Sequence, residues 1–388
     1  MRNIILLGLV SFFEDLRTEM VYYFIPLYLT AVLGATPALV GVIEGIAESV
    51  ASLLKVFSGY FTDKYHHKKA VAFLGYGTGL IYKIVLLFAG SWAGVLSARV
   101  IDRVGKGIRT APRDVIVSES AGKNHLGGAF GIHKAMDMAG SGFGVLLAYL
   151  ILANAGGNID YKKIFIISMV PIVLGLVALL FVKESPKKTR PLKIKEPFWQ
   201  RFHELDRNLK LYLAVAFIFT LGNSSNTFLL LRAKDLGFSD MNVVLLYLLY
   251  TMAAAILAIP FGRISDKIGR KTLLVLGYFA FTGVYLGFAL VTDAKALVLI
   301  FALYGIYTAM TAGVERALIA DIAPKDLKGT MLGLHGTVVG VALLPASIIA
   351  GALWTGFGVM VPFIFGAALS FVAGVILLFF LKTKPLHE

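Results

Sequence analysis

The chain has 388 residues, of which 58% are hydrophobic and only 15% charged, with a mean hydropathy of +0.80. A soluble domain carries about a quarter charged residues, so this composition excludes an ordinary water-soluble protein and points to a chain dissolved in lipid. The absence of cysteine excludes disulfides, iron–sulfur clusters and thiolate zinc sites, and the net charge of +14 is a question of where the lysines and arginines fall.

Apolar segments run at approximately 4–33, 37–60, 70–90, 93–116, 127–153, 163–182, 209–231, 241–262, 271–292, 295–318, 329–353 and 358–381. Each has the length of a membrane-crossing helix of about 20 residues. The alternating segments of about ten residues that build a lipid-spanning barrel are absent. The sequence therefore predicts an all-α membrane protein with twelve transmembrane helices. The first segment contains Glu14, Asp15, Arg17 and Glu19, which is wrong for the apolar core of a cleavable signal peptide. At 100° per residue, Phe12, Asp15, Glu19, Tyr22 and Pro26 share one face of the first helix. Gly41, Glu44, Glu48, Ala51, Lys55 and Gly59 form a stripe along the second. Arg99, Arg103 and Lys106 share a face of the fourth, with Asp102 beside it, and His133, Asp137, Gly140 and Gly144 align on the fifth. The seventh offers neutral polar groups from Thr220 through Asn223, Ser224, Ser225 and Asn226 to Thr227, and the tenth offers Tyr304, Tyr307, Thr308, Thr311 and Glu315.

The connections between segments are asymmetric in charge. Lys64, Lys68 and Lys69 follow the second segment, and Arg263, Lys267, Arg270 and Lys271 follow the eighth. A long central stretch holds Lys183, Lys187, Lys188, Arg190, Lys193, Lys195, Arg201, Arg207 and Lys210, whereas the connections near 34–37, 90–92 and 354–358 hold no charge. Lysine and arginine accumulate on the cytoplasmic side. The expectation is a multi-pass protein of the cell membrane with both termini cytoplasmic, its positive charge facing anionic lipid heads rather than nucleic acid. The central stretch, with Pro186, Pro191 and Pro197, divides the chain into 1–182, a basic cytoplasmic linker at 183–208, and 209–388. Within it, the segment from Phe198 to Phe202 has the character of an interfacial amphipathic piece.

The two parts repeat each other. Gly59, Asp63 and Lys68 recur 203 positions later as Gly262, Asp266 and Lys271, and Arg113 recurs at the same offset as Arg316. Gly131-Ile132-His133 recurs as Gly333-Leu334-His335. The Gly–x–x–x–Asp–Lys–x–x–Arg–Lys pattern at 262–271 and its copy at 59–68 resemble the signature loop of the major facilitator superfamily. Arg99 followed by Gly105 and Gly107 is similar to that superfamily's second motif. The resemblance covers the whole chain. It implies two pseudo-symmetric six-helix bundles that rock about a site near the bilayer midplane. Two departures stand out. His66-His67 replaces the Gly269-Arg270 of the second copy, and the fifth-helix run Gly140-Ser141-Gly142-Phe143-Gly144 lacks the proline of the family's antiporter motif.

Charged groups in lipid are costly unless they face a cavity or a partner. Asp15, Glu19, Glu44, Glu48, Arg99, Asp102, Arg103, His133 and Asp137 are therefore the candidate substrate- and proton-coupling residues, with Asp15, Glu19 and Glu48 foremost. Tyr22, Asn223, Asn226, Tyr304 and Thr308 are candidate cavity-lining groups. Asp63, Lys68, Asp266, Arg270 and Lys271 are candidate gating residues. The plainer alternatives are ion pairs that fix helix register and hydroxyls or amides that bind helices together. The expected function is secondary active transport of a small organic solute, amphipathic or partly anionic, by alternating access. Protons are the expected coupling ion, export the expected direction, and a monomer the expected state. The alternative is a divalent-cation transporter that uses the acidic cluster. With no Gly-x-Ser-x-Gly elbow, no His-Glu-x-x-His pair and no phosphate-binding loop, neither an enzyme nor a cofactor is expected, and no resident metal.

Overall fold

The computed structural model describes residues 1–22, 24–65, 67–122, 124–154, 159–184 and 205–382. Most of the expected linker, its amphipathic piece and His66 lie outside these. The regular elements among the described residues are all helical. In the first half they are α1 (Arg2–Tyr22), α2 (Phe24–Leu27) with a π-turn over Tyr28–Val32, α3 (Pro37–Tyr65), α4 (Lys68–Leu87), α5 (Trp92–Ser120), α6 (Leu126–Asn154), α7 (Tyr161–Ile167) and α8 (Met169–Leu180). In the second half they are α9 (Arg207–Gly222), α10 (Thr227–Asp235), α11 (Asp240–Ile268), α12 (Arg270–Leu290), α13 (Ala294–Ile322), a 3₁₀ turn at Lys325–Leu327, α14 (Lys328–Phe357) and α15 (Val361–Phe380).

Short polar residues set the helix starts. Ser91 accepts a bond from Gly94 N, Asp160 from Lys163 N, Ser239 from Asn242 N and Asp293 from Ala296 N. Each satisfies a backbone donor that the first helical turn leaves open. Gly269 closes α11 at φ 96°, a left-handed conformation that needs glycine.

The twelve segments read from the sequence are all helical. Three are interrupted: the first by the π-turn after Pro26, the sixth at Ser168 between α7 and α8, and the seventh at residues 223–226 between α9 and α10. Among the described residues nine helical stretches are long and apolar enough to cross a membrane. The helices α1, α3 and α5 fall outside that set, and they carry the charged faces. They tolerate those charges by turning them towards one another.

The halves have unlike interiors. The second half closes on a cluster of aromatic rings in which Phe219 stacks on Tyr278 at 4.0 Å and Phe281 on Tyr285 at 3.9 Å. The first half has smaller apolar clusters and buries Glu14, Arg17, Lys83, Arg99, Asp102, Arg103, Arg109, Arg113 and Asp114. Between the halves, α3 packs on α14 and α6 on α11. Glycines allow the backbones to touch. A Cβ on Gly59 would lie 2.1 Å from Gly329 O, and one on Gly262 would lie 2.4 Å from Gly127 O.

Candidate functional site

Two carboxylates tie the halves together at the end that carries the basic loops. Asp63, near the end of α3, accepts bonds from Gly329 N (2.9 Å), Thr330 N (2.6 Å) and Thr330 Oγ1 (2.6 Å) at the start of α14. Asp266, near the end of α11, accepts from Gly127 N (2.8 Å) and Gly128 N (2.7 Å) at the start of α6. Each places a negative charge on the open amides and positive dipole end of a helix in the other half. The repeat seen in the sequence is therefore a pair of reciprocal contacts. The basic members of the loops behave differently and bond within their own halves. Lys68 pairs with Glu119, Arg270 with Asp266 (3.2 Å) and Asp321 (2.5 Å), and Lys271 Nζ donates to Leu381 O (2.6 Å).

Above this closure, the first half presents a column of ion pairs. Arg99 donates to Glu44, with Nε 2.7 Å from Oε1. Arg103 lies 3.1 Å from Glu48 and 3.5 Å from Asp102, and Lys106 lies 3.2 Å from Glu48. Asp102 turns inward to Arg17 at 2.8 Å; Arg17 also pairs with Glu14, which Arg109 meets at 2.6 Å. Closer to the basic end, Arg113 pairs with Asp114 at 2.9 Å, and Arg316 of the other half approaches the same carboxylate at 3.6 Å. His133 is fully buried with Nε2 2.9 Å from Ser11 Oγ, a contact between helices. Lys134 donates to Asp137 at 2.6 Å, and Asp15 lies beside Asp137. Glu19 stands beside Arg103, Lys106, Lys134 and Asp137; its Oε2 is buried with no bonding partner among the described residues.

A cavity of about 260 Å³ is walled mainly by α9, α11, α13 and α14, with Met138 of α6 as its first-half member. The break between α9 and α10 supplies its amides. Asn223 Nδ2 donates to Tyr307 Oη (3.2 Å), Asn226 Nδ2 to Tyr250 Oη (3.1 Å), and Tyr304 Oη to Asn226 Oδ1 (2.8 Å). Irregular backbone at membrane depth is tolerated where it lines a cavity. Asn223, Asn226, Tyr304, Thr308 and Glu315 all line the cavity. Tyr22, 44% exposed, stands outside this lining and beside Glu19, Glu44, Arg99 and Arg103. Sequence reading also passed over Glu14, Arg17, Arg109 and Asp114 as site residues, although the Glu14–Arg17 spacing of three is a helical ion-pair signal.

The sequence pattern of the Major Facilitator Superfamily matches residues 7–290 and 211–388. The chain belongs to the major facilitator superfamily. As a superfamily member it is a multi-pass membrane transporter and not an enzyme. It is 40% identical over 384 residues to an uncharacterized MFS-type transporter of Methanocaldococcus jannaschii, covering 97% of this chain and 94% of the relative. It is 27% identical over 255 residues to the fosmidomycin resistance protein of Escherichia coli, covering 63% and 61% of the two chains. Two solved superfamily structures share the fold at 16% identity. The human organic anion transporter MFSD10 gives a TM-score of 0.82, with 97% of this chain and 99% of that one covered. The proton:xylose symporter XylE gives 0.80, with 98% and 95% covered.

Proposed function

We propose that this transporter exports a small organic solute, amphipathic or partly anionic, in exchange for protons, by alternating access between the halves 1–182 and 209–388. The observation that carries the reading is the contrast between the two halves. The second half lines a cavity with tyrosine rings, asparagine amides and Thr308, groups suited to an organic body. The first half carries carboxyl groups within its helices, Asp15, Glu19 and Asp137 among them, that can take up and release protons. The closeness of the Asp15 and Asp137 carboxyl groups supports proton handling, since two adjacent carboxylates repel and a proton on one of them relieves the repulsion. Asp63 and Asp266 act as the gate latches in this reading, and the positive-inside rule puts the latched end at the cytoplasm. Export agrees with the resistance relative, and the two solved structures are an organic anion transporter and a proton:xylose symporter.

The divalent-cation alternative is not carried forward. Glu44 and Glu48 are already neutralised by Arg99, Arg103 and Lys106. Among the described residues no group of three or more acidic or histidine side chains is placed to hold a metal ion. The test is flux in proteoliposomes under an imposed pH gradient, with a panel of organic anions, amphipathic drugs and divalent metals. Gradient-driven accumulation of an organic member is expected, falling by an order of magnitude in Glu19→Gln. Flux of metals alone, or organic flux indifferent to the pH gradient, would overturn the reading.

A further inference from the structure

Where α3 and α5 of the first half meet α13 and α14 of the second, next to the cavity-lining Glu315, several cationic side chains gather. Arg103 and Lys106 share Glu48, at 3.1 Å and 3.2 Å. Arg113 and Arg316 share Asp114, at 2.9 Å and 3.6 Å. Lys55 stands between these groups, beside Lys106, Glu48, Arg316 and Arg103. Its ammonium meets the Gly336 carbonyl at 3.4 Å and no carboxylate within 4.0 Å among the described residues. The buried His335 Nε2 faces the same place, with no hydrogen-bond partner among the described residues and the Glu315 carboxylate 3.9 Å away. Arg103 has Asp102 as a further partner at 3.5 Å and, with Lys106, stands beside Glu19; Lys55 is thus the cation left without a close carboxylate among the described residues, in surroundings where an uncompensated charge is expensive.

We propose that Lys55, Lys106 and Arg316 together hold the anionic group, a carboxylate or phosphonate, of the transported solute. The inference rests on the organic-solute reading above and assigns the end of the molecule that reading leaves open. Lys106 and Arg316 are 37% and 27% exposed, so both side chains are open to an incoming solute. Lys55 occupies the position that Ala258 holds in the second half, and it lies against Gly333 and Gly336 of α14. Lys55 and Lys106 come from the first half and Arg316 from the second. The site is thus assembled only while the halves are closed at the basic end. An anion seated there favours that state by its differential affinity for it, and opening of that end takes the site apart and releases the anion.

The test uses the full chain in proteoliposomes and a panel of small aromatic carboxylates and phosphonates, each beside its neutral amide and its amine. Transport of acids over their amides and amines is expected. Lys55→Gln and Lys106→Gln should each raise the half-saturating concentration by about tenfold or more, the loss of one charge-assisted contact. Lys55→Arg should leave it nearly unchanged. The thermal unfolding midpoint of each purified variant separates a folded protein that has lost affinity from one that has not folded. Preferential transport of amides or amines would overturn the anion site and leave organic transport standing. So would transport of acids that neither glutamine variant alters. No flux of any organic member would overturn both.

Discussion

Leucine at Gly59 or Gly262 should force the chain open at the end that carries the signature loops. The obstacle is backbone, not a yielding side chain: Gly329 O lies 2.1 Å from a Cβ at Gly59, and Gly127 O lies 2.4 Å from one at Gly262. Because each contact joins helices of different halves, the strain is relieved by parting the halves. Asp63→Asn and Asp266→Asn should act in the same direction and less strongly. Each weakens hydrogen bonds to a charged acceptor worth about 1.5–3 kcal/mol, enough to shift a two-state equilibrium by about tenfold. The parent chain has no cysteine, so a single cysteine at Ala258, 2% exposed in the sealed contact, reports opening through its rate of modification by a membrane-impermeant maleimide. A several-fold faster rate is expected in both leucine variants, with reagent supplied from the side the basic loops face. An unchanged rate would mean that these glycine contacts do not close that end.

Much of this closure is legible in the sequence. The recurrence of Gly59 and Asp63 as Gly262 and Asp266 identifies the two latches, because a duplicated motif marks a duplicated contact. The partners are less visible. Gly127 and Gly128 look like helix-packing glycines, and only the fold brings them to Asp266. The charged column shows the same limit. Helical periodicity places Arg99, Arg103 and Lys106 on one face, but it cannot say which neighbouring helix that face meets. Asp102, expected beside that face, turns away to Arg17, which is 85 positions distant in the chain. The break at 223–226 was within reach, because Asn-Ser-Ser-Asn combines four residues that favour helix ends over helix interiors.

The two halves descend to one fold by different physics. In the second, stacked rings provide non-directional burial, which leaves tyrosine hydroxyls and the broken helix free to shape a cavity. In the first, arginine–carboxylate pairs provide contacts that are directional and strong only at one register. A wall of that kind resists sliding and responds to protonation of its carboxylates, whereas an aromatic wall adapts to cargo. The division of labour proposed for the transporter, protons on one side and solute on the other, follows from this difference in packing.

Two fully buried cations of the first half should respond in opposite ways to loss of charge. Arg17, 1% exposed, holds both Glu14 and Asp102. Arg17→Met leaves Asp102 with only the longer contacts to Arg99 (3.9 Å) and Arg103 (3.5 Å), and it should destabilise the chain by about 3–5 kcal/mol, the usual cost of breaking a buried pair from one side. Lys83 is 0% exposed, and its Nζ has no hydrogen-bond partner among the described residues; it lies 4.6 Å from the centre of the Tyr82 ring. Lys83→Met keeps the length of the side chain and removes a polar group that has no bond to lose, so it should be neutral or stabilising. Adding Asp102→Leu to Arg17→Met should recover part of the loss, since Glu14 keeps Arg109 at 2.6 Å. Chemical unfolding of the purified variants in one detergent measures all three. Equal losses for Arg17→Met and Lys83→Met would place Lys83 inside the network as a working charge, and the cation excess of the first half would then extend to its centre.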